Sequence, residues 1–469
     1  MLEHENSPTW HPDAQLAVYA AERFRCLPCV THEVGMVLQD DVIWLFWHDR
    51  QGVIQSTGIS FVRNAPHFLL VLLAMQRFNS VDWGVPEGFP EQAPTNDLVL
   101  LPGSSPEDGI RVNWSEVLHR SSGRLTGRCA QVFRGTRKTS GVVVKISHRD
   151  KSRLTEDYIV KRARGEAEES MKFPLKTHLP VCLFSCDLRH DSAWIREFLN
   201  GSADGLSASR IPRITVWEAL LPIYQLPAAD FVRCWLKVIH AHRVLWEKGI
   251  RHLNPSLANT MVRMVEGKSR GVLNDWELAT IRGESRHDAS ELTGNWLFMA
   301  VELMTDEGLS GHVPRLYRYD LEGFTWILLW VFMQYDEENT VHETDQTWLW
   351  KSSSLDNARN AKEDFLVVAR GCKPQEKWKD QWALAERMRR IFARINITGR
   401  MMHEVEALFG HTAKGQQGDT SVEDDEELSD EEMYTMFWEE IDGYYGSLGT
   451  AGLQELSATS LLPVALPRK

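Results

Sequence analysis

The sequence predicts an α+β protein, and three observations carry that reading. Apolar, β-branched runs cluster before about residue 215, helical periodicity dominates from about residue 222, and 18 Trp in 469 residues supply the area of a substantial core. Length suggests two to four units. Composition shifts place boundaries near residues 105, 221 and 411.

In the first section, Asp41–Phe61 is two apolar runs around Asp49-Arg50-Gln51-Gly52, a hairpin signal. Ala65–Phe78 (APHFLLVLLAMQRF) reads as a strongly apolar helix packed on that hairpin. Val85–Asp97, rich in Pro and polar residues, reads as a linker. The second section opens with strand-like runs, VNWSEVLHRS and AQVFRGT around GRLTGRC. Ser140–Ser147 (SGVVVKIS) then reads as a strand ending around Lys145. The charged stretch Arg149–Phe173 has helical propensity in its later part and a broad solvated face.

In Ala229–Ile250, Phe231, Trp235, Val238, Ile239, His242 and Leu245 recur every three or four residues, and Gly249 suits the helix end. A loop with short strands follows. Asp320 heads DLEGFTWILLWVFMQY, an acidic start that suits a helix N-terminus. Its apolar run, Phe324–Met333, is about half the length a membrane span needs and reads as a buried core helix.

The net charge is -13, and residues 419–442 hold twelve acidic side chains and no basic ones. The rest of the chain is nearly neutral, which argues against nucleic acid as the main partner because phosphate contacts need a basic face. The section from about 412 to 469 reads as an acidic, largely disordered tail. It contains an aromatic island, Met433–Gly446, able to dock on the body or on a partner. Ser429 precedes an acidic triplet and is either part of a solvated linker or a site for an acidophilic kinase. MLEHENSPTW has neither a basic start nor an apolar run, so no secretory signal or membrane association is expected. Seven Cys, with one lone C-x-x-C at Cys26 and Cys29, read as reduced thiols of an intracellular protein, cytoplasmic or nuclear.

Three residue types in order suggest chemistry. A Lys at a strand end, Lys145, can hold nucleotide phosphates if a carboxylate on the following helix orients it. Spacing favours Glu168, with Glu166 and Glu169 as competitors. His252–Asn259 (HLNPSLAN) matches the spacing of H-R-D-x-x-x-x-N, and Asn259 keeps the metal-binding position. Asp275 follows the apolar run GVL, where a principal Mg²⁺ ligand would stand. Alone, each residue is ordinarily a solvated charge or a turn former; their order is the signal.

With these residues the chain resembles the fungal-type protein kinase domain family, a divergent branch of the protein kinase-like fold. FWHDRQGVIQS (Phe46–Ser56) is similar to its F-D-R-x-G-x-x-x-S, and RLTGRCAQV (Arg124–Val132) to its glycine loop. GVLNDWELA, ELTGNWLFMAVELM and RYDLEGFTWILLW are similar to its later motifs, so the resemblance covers roughly residues 15–335. It implies a two-lobed kinase fold, small and β-rich first, larger and helical second, with ATP and Mg²⁺ between the lobes. The 1–105 section is then an extension of the kinase fold. Gly127, Cys129, Val132 and Lys145 would line the nucleotide, and Glu218, in the segment Trp217–Leu220, would meet adenine. Asn259 and Asp275 would hold metal. Glu302 would anchor the activation segment by an ion pair, and His252 and Asp320 would support the catalytic loop. The partner would be a protein substrate.

The departures fall at working positions. Asn254 stands where the catalytic Asp would accept a proton, Leu253 replaces the preceding Arg, and Cys129 replaces a glycine-loop Gly. The expectation divides between Ser/Thr-type phosphotransfer and a pseudokinase that serves as a binding or scaffold module, with or without ATP, and does not transfer phosphate.

Overall fold

The computed structural model describes residues 12–87, 89, 98–99, 109–120, 125–167, 173–188, 193–200, 209–284, 296–369, 371–409 and 428–447. The chain forms two compact units: Met1–Asp157 with Val181–Ala219, and Tyr158–Pro180 with Leu220–Lys469. The 1–105 and 106–221 sections therefore fall mostly into one unit.

The first unit begins with α1 (Pro12–Cys26), whose Ala20 and Phe24 pack on Val30 and Val85. Next come β1 (His32–Gln39), β2 (Val42–Asp49), β3 (Gly52–Gln55) and β4 (Ile59–Ser60), an antiparallel sheet in the order β1-β2-β3 with β4 on β2. The Asp49–Gly52 hairpin forms as the turn residues suggest. Strand β1, which sequence reading passed over, pairs with β2 along its whole length. Its modest alternation, HEVGMVLQ, gives a weak period-2 signal. The predicted apolar helix is α2 (Ala65–Gln76), but it has no buried residue, and Leu69 and Leu70 are 62% and 63% exposed. Its expected burial on the hairpin is corrected to a contact at one end, Phe61 against Phe68. An all-round apolar pattern signals burial only if a second element arrives to cover it.

The main sheet of this unit is β5 (Leu98–Val99), β6 (Ile110–Arg120), β7 (Gln131–Arg137), β8 (Ser140–Asp150), β9 (Cys182–Asp187) and β10 (Arg210–Glu218). Its order is β5-β6-β7-β8-β10-β9, antiparallel throughout. Strand β8 runs past Lys145 to Asp150, because Ser147 to Asp150 pair with β10. Val142, Val144 and Ile146 point to one face and join Phe133, Ile214 and Val216 in the core. Lys145, of opposite parity, lies on the other face. After β8 the chain enters α3 (Glu156–Gly165), where the unit division falls; α4 (Ala193–Asn200) lies between β9 and β10.

The second unit contains β11 (Leu221–Pro222), α5 (Ala228–Glu247), β12 (Ile250–Arg251), the hairpin β13 (Thr260–Val265) and β14 (Lys268–Leu273), and β15 (Thr280–Ile281). It continues with α6 (Asp306–Leu309), α7 (Tyr317–Gln334), α8 (Asp345–Trp350), α9 (Leu355–Val368), α10 (Trp382–Phe409) and α11 (Asp430–Ser447). Helix α5 ends where expected. Gly249, at φ +78°, donates its N–H to Trp246 O at 2.9 Å, a left-handed turn that glycine takes without a Cβ penalty. Helix α7 is buried along its whole length except at Arg318, confirming the core-helix reading. The aromatic island of the acidic section is α11. It packs Met433, Tyr434, Phe437, Trp438, Ile441 and Tyr444 into the second unit, so it docks on the body. Residues 410–427 and 448–469 lie outside the described residues.

Candidate active site

The first unit presents Lys145 in a defined environment. Across the sheet its partners are Val132 on β7 and Thr215 on β10, so both share its face. Lys145 is 9% exposed, and its Nζ lies 3.0 Å from Glu156 Oε2, itself 8% exposed. Two charges this deep in the protein persist because each satisfies the other. Glu156 opens α3, where a carboxylate also meets the positive end of the helix.

The carboxylate at Lys145 is thus Glu156, which spacing to Leu179–Val181 had not singled out. Glu166 pairs instead with Arg162 and, at 3.7 Å, with Lys248. Glu168 and Glu169 lie outside the described residues. Helical spacing orders the carboxylates along a helix but does not fix which turn stands over the strand.

The glycine-loop segment between β6 and β7 is described from Leu125. Gly127 has φ +98° and Cys129 φ +44°. Cys129 therefore adopts a left-handed backbone that glycine takes more easily, at the strain a Cβ adds there. Its thiol lies 3.3 Å from Thr126 O. Glu218 ends β10, and its Oε1 accepts the Val181 N–H at 2.9 Å, so this carboxylate fixes the entry to β9.

The second unit carries the loop after β12. His252 is fully buried; its Nε2 donates to Asn274 O at 2.9 Å and its Nδ1 accepts the Asn254 N–H at 3.3 Å. Burial pulls its pKa down to about 4, so it is neutral near pH 7 and holds one tautomer. Asn254 is half-buried, and its carbonyl accepts from Asn259 Nδ2 at 2.9 Å. The Asn259 carbonyl in turn accepts the Asn274 N–H at 2.7 Å. These bonds tie the loop to the segment that delivers Asp275, which has φ +59°.

Asp320, on the first turn of α7, accepts from His242 Nε2 at 2.7 Å and from the Leu253 N–H at 3.1 Å. Burial pushes its pKa up, but the His242 bond leads the opposing effects and the carboxyl stays below its ordinary range. The carboxylate thus ties the start of α7 to the backbone of the loop after β12. Pro255 packs against Gly323 of α7, where a Cβ would come within 2.6 Å of the proline ring. Glu302 receives Arg318 Nη2 at 2.9 Å and the Tyr319 hydroxyl at 2.7 Å.

Two groups escaped sequence reading. A carboxylate oxygen of Glu277 lies within 4.8 Å of one of Asp275, a D-x-E pair legible as spacing. Lys362, fully buried on α9, donates to Trp296 O at 3.2 Å and Leu297 O at 3.3 Å, while Glu322 accepts the Val301 N–H at 2.9 Å. Burial brings Lys362 down to about 7, with Glu322 opposing it. No local sequence signal marks a lysine that will be buried by tertiary packing.

Asn259, Asp275 and Glu277 offer amide and carboxylate oxygens, the hard donors Mg²⁺ takes, so the donor set fits this ion. No described helix is long and apolar enough to cross a membrane.

Among solved structures the chain is similar to the Cydia pomonella Granulovirus kinase PK-1, at 12% identity and a TM-score of 0.36, over 61% of this chain and 89% of that one. A likeness that loose adds nothing to the assignment. No curated protein matches the chain. The family model described as fungal protein kinase matches residues 2–174 and 220–332, well over half of the sequence. Together with the β-rich first unit and the largely helical second, this match shows that the chain belongs to the fungal protein kinase family and has its α+β, kinase-like fold.

Proposed function

We propose that this kinase-like protein binds Mg-ATP and is a slow Ser/Thr-type phosphotransferase. The observation that supports it most is the buried Lys145–Glu156 pair, the arrangement a kinase uses to hold the α- and β-phosphates. In this reading Val132 and the Gly127–Cys129 segment lie along the nucleotide, Glu218 belongs to the adenine-binding segment, and Asn259 and Asp275 hold Mg²⁺, with Glu277 beside them. When bound, the ion neutralises phosphate charge. Asn254 positions the acceptor hydroxyl through its amide oxygen but takes no proton, being neutral. Losing a general base slows such steps by about 10²–10⁴, or roughly 3–5 kcal/mol of barrier. Because phosphoryl transfer depends mostly on positioning and charge, a residual rate survives.

A second reading, a pseudokinase that binds without transfer, is favoured by Asn254 itself. Thermal shift with Mg-ATP, followed by phosphate transfer to a protein acceptor, separates the two. The proposal expects Mg-ATP stabilisation, weak turnover lost in Asp275→Ala, and turnover raised in Asn254→Asp. Stabilisation without wild-type turnover leaves the pseudokinase, and no stabilisation by Mg-ATP overturns the proposal and leaves only a scaffold that uses the fold without nucleotide.

A further inference from the structure

The turn between β2 and β3 is built beyond what a hairpin needs. Asp49 Oδ1 accepts the N–H groups of Gln51 at 2.8 Å and Gly52 at 3.1 Å; its Oδ2 accepts Trp47 Nε1 at 3.1 Å and pairs with Arg196. These bonds fix the turn's shape and so the direction of Arg50. Arg50 is 3% exposed, with its guanidinium 4.4 Å from the centre of the Phe24 ring. It donates to Leu125 O at 3.2 Å and Phe24 O at 3.4 Å, and its own carbonyl accepts the Gly127 N–H at 3.0 Å. One residue thus holds the glycine-loop segment on both sides of Thr126.

Neighbouring bonds continue the clamp. Arg128 O accepts the His148 N–H at 2.8 Å, and Gln131 Nε2 donates to Phe24 O at 3.2 Å and Arg25 O at 3.1 Å. The loop rests on a frame supplied by α1 and the β2–β3 turn. A glycine-rich loop owes its use to backbone that can approach phosphate, and the same freedom costs entropy when the loop is ordered. A brace that orders the loop beforehand removes part of that cost.

We propose that the Asp49–Gly52 turn braces the glycine loop, and that Arg50 is a positioning residue for the nucleotide's phosphates. This rests on the Mg-ATP reading above. It gives the D-R-x-G stretch a role distinct from that of a simple hairpin turn. The Arg50 side chain touches no nucleotide; it acts through Leu125 and Gly127.

The test uses the full chain as wild type, Arg50→Lys and Arg50→Met. Binding of Mg-ATP and of adenosine is measured by calorimetry, and maleimide labelling of Cys129 by peptide-resolved mass spectrometry. Loss of a charged hydrogen-bond donor is expected to weaken Mg-ATP about tenfold in Arg50→Met, with adenosine within about twofold of wild type. Cys129 labelling quickens, and Arg50→Lys, which keeps the charge but not the fork, falls between. Equal losses for both ligands, or no change in either ligand together with unchanged labelling, overturn the proposal. If the wild type binds neither ligand, the Mg-ATP reading fails, while faster Cys129 labelling in Arg50→Met still supports the brace and unchanged labelling overturns it. If Arg50→Met does not fold, amide exchange in the wild type decides: slow exchange at Gly127 supports the brace, and exchange near the free-chain rate overturns it.

Discussion

Replacing Glu156 by Ala removes the carboxylate 3.0 Å from Lys145 Nζ, at a site where both residues are about nine-tenths buried. Breaking one side of a buried pair costs about 3–5 kcal/mol, against about 1.5–3 kcal/mol for an ordinary hydrogen bond to a charge. The depth of both residues places this site in the upper range. For a unit of this size each kcal/mol moves the melting temperature by about 2–4 °C, so a fall of about 6–20 °C is expected for the first unit's transition. The double variant Lys145→Met/Glu156→Leu removes both charges and their desolvation, and is expected to return to within about 1–2 kcal/mol of wild type. Calorimetric unfolding of Lys145→Met, Glu156→Leu and the double variant that combines them gives a coupling energy of at least about 2 kcal/mol. The same cycle run between Lys145 and Glu168 measures the carboxylate that spacing favoured. A coupling below about 0.5 kcal/mol at Glu156, or a larger one at Glu168, would refute the assignment of Glu156 as the partner.

Three further outcomes are expected. Asp430→Ala removes acceptors from Trp246 Nε1 (2.7 Å) and from the Tyr317 N–H at the start of α7 (3.2 Å), and should cost about 1–3 kcal/mol by urea unfolding; an unchanged midpoint would show that α11 does not anchor α7. His178, His240 and His252 are each held near about 4, chiefly by burial. Below about pH 6.5 the unfolded chain takes up protons that these folded histidines refuse, so their contribution is complete above that pH and is lost as pH falls towards 4. The melting temperature of the second unit should fall across that window, and a flat profile contradicts their burial as neutral rings. Leu69→Lys and Leu70→Lys on α2 should each change stability by less than about 0.5 kcal/mol, because both side chains are already solvated; a loss above 2 kcal/mol would mean that something covers α2.

Much of the fold was legible in the chain. Period-2 and 3.6-residue patterns located the β2–β3 hairpin, β8, α5 and α7, since burial of one face or of a whole helix leaves its mark on local composition. The order Lys145, Asn259, Asp275 is likewise a sequence property, as is the neutral Asn254 between them. From the residues alone Asp320 read only as an acidic helix start; the family resemblance implied its contact with the loop, and His242 and the Leu253 N–H are its donors.

Tertiary structure decided the pairings. Nothing local distinguishes Glu156 from Glu168, because which helical turn stands over a strand depends on how the helix is laid down. Only packing buried Lys362 and left the more apolar α2 in water, since burial belongs to the arrangement of elements and not to hydrophobicity alone. The acidic section looked unable to order itself, yet Asp430–Ser447 folds against α7 and α10 and meets α5 through His240, Arg243 and Trp246, which supply the apolar surface and the donors that the segment lacks alone. The sequence by itself determined which residue types stand at each working position and the elements that carry them. The three-dimensional fold decided which of those residues meet, because contacts between distant segments are fixed by the packing of whole elements.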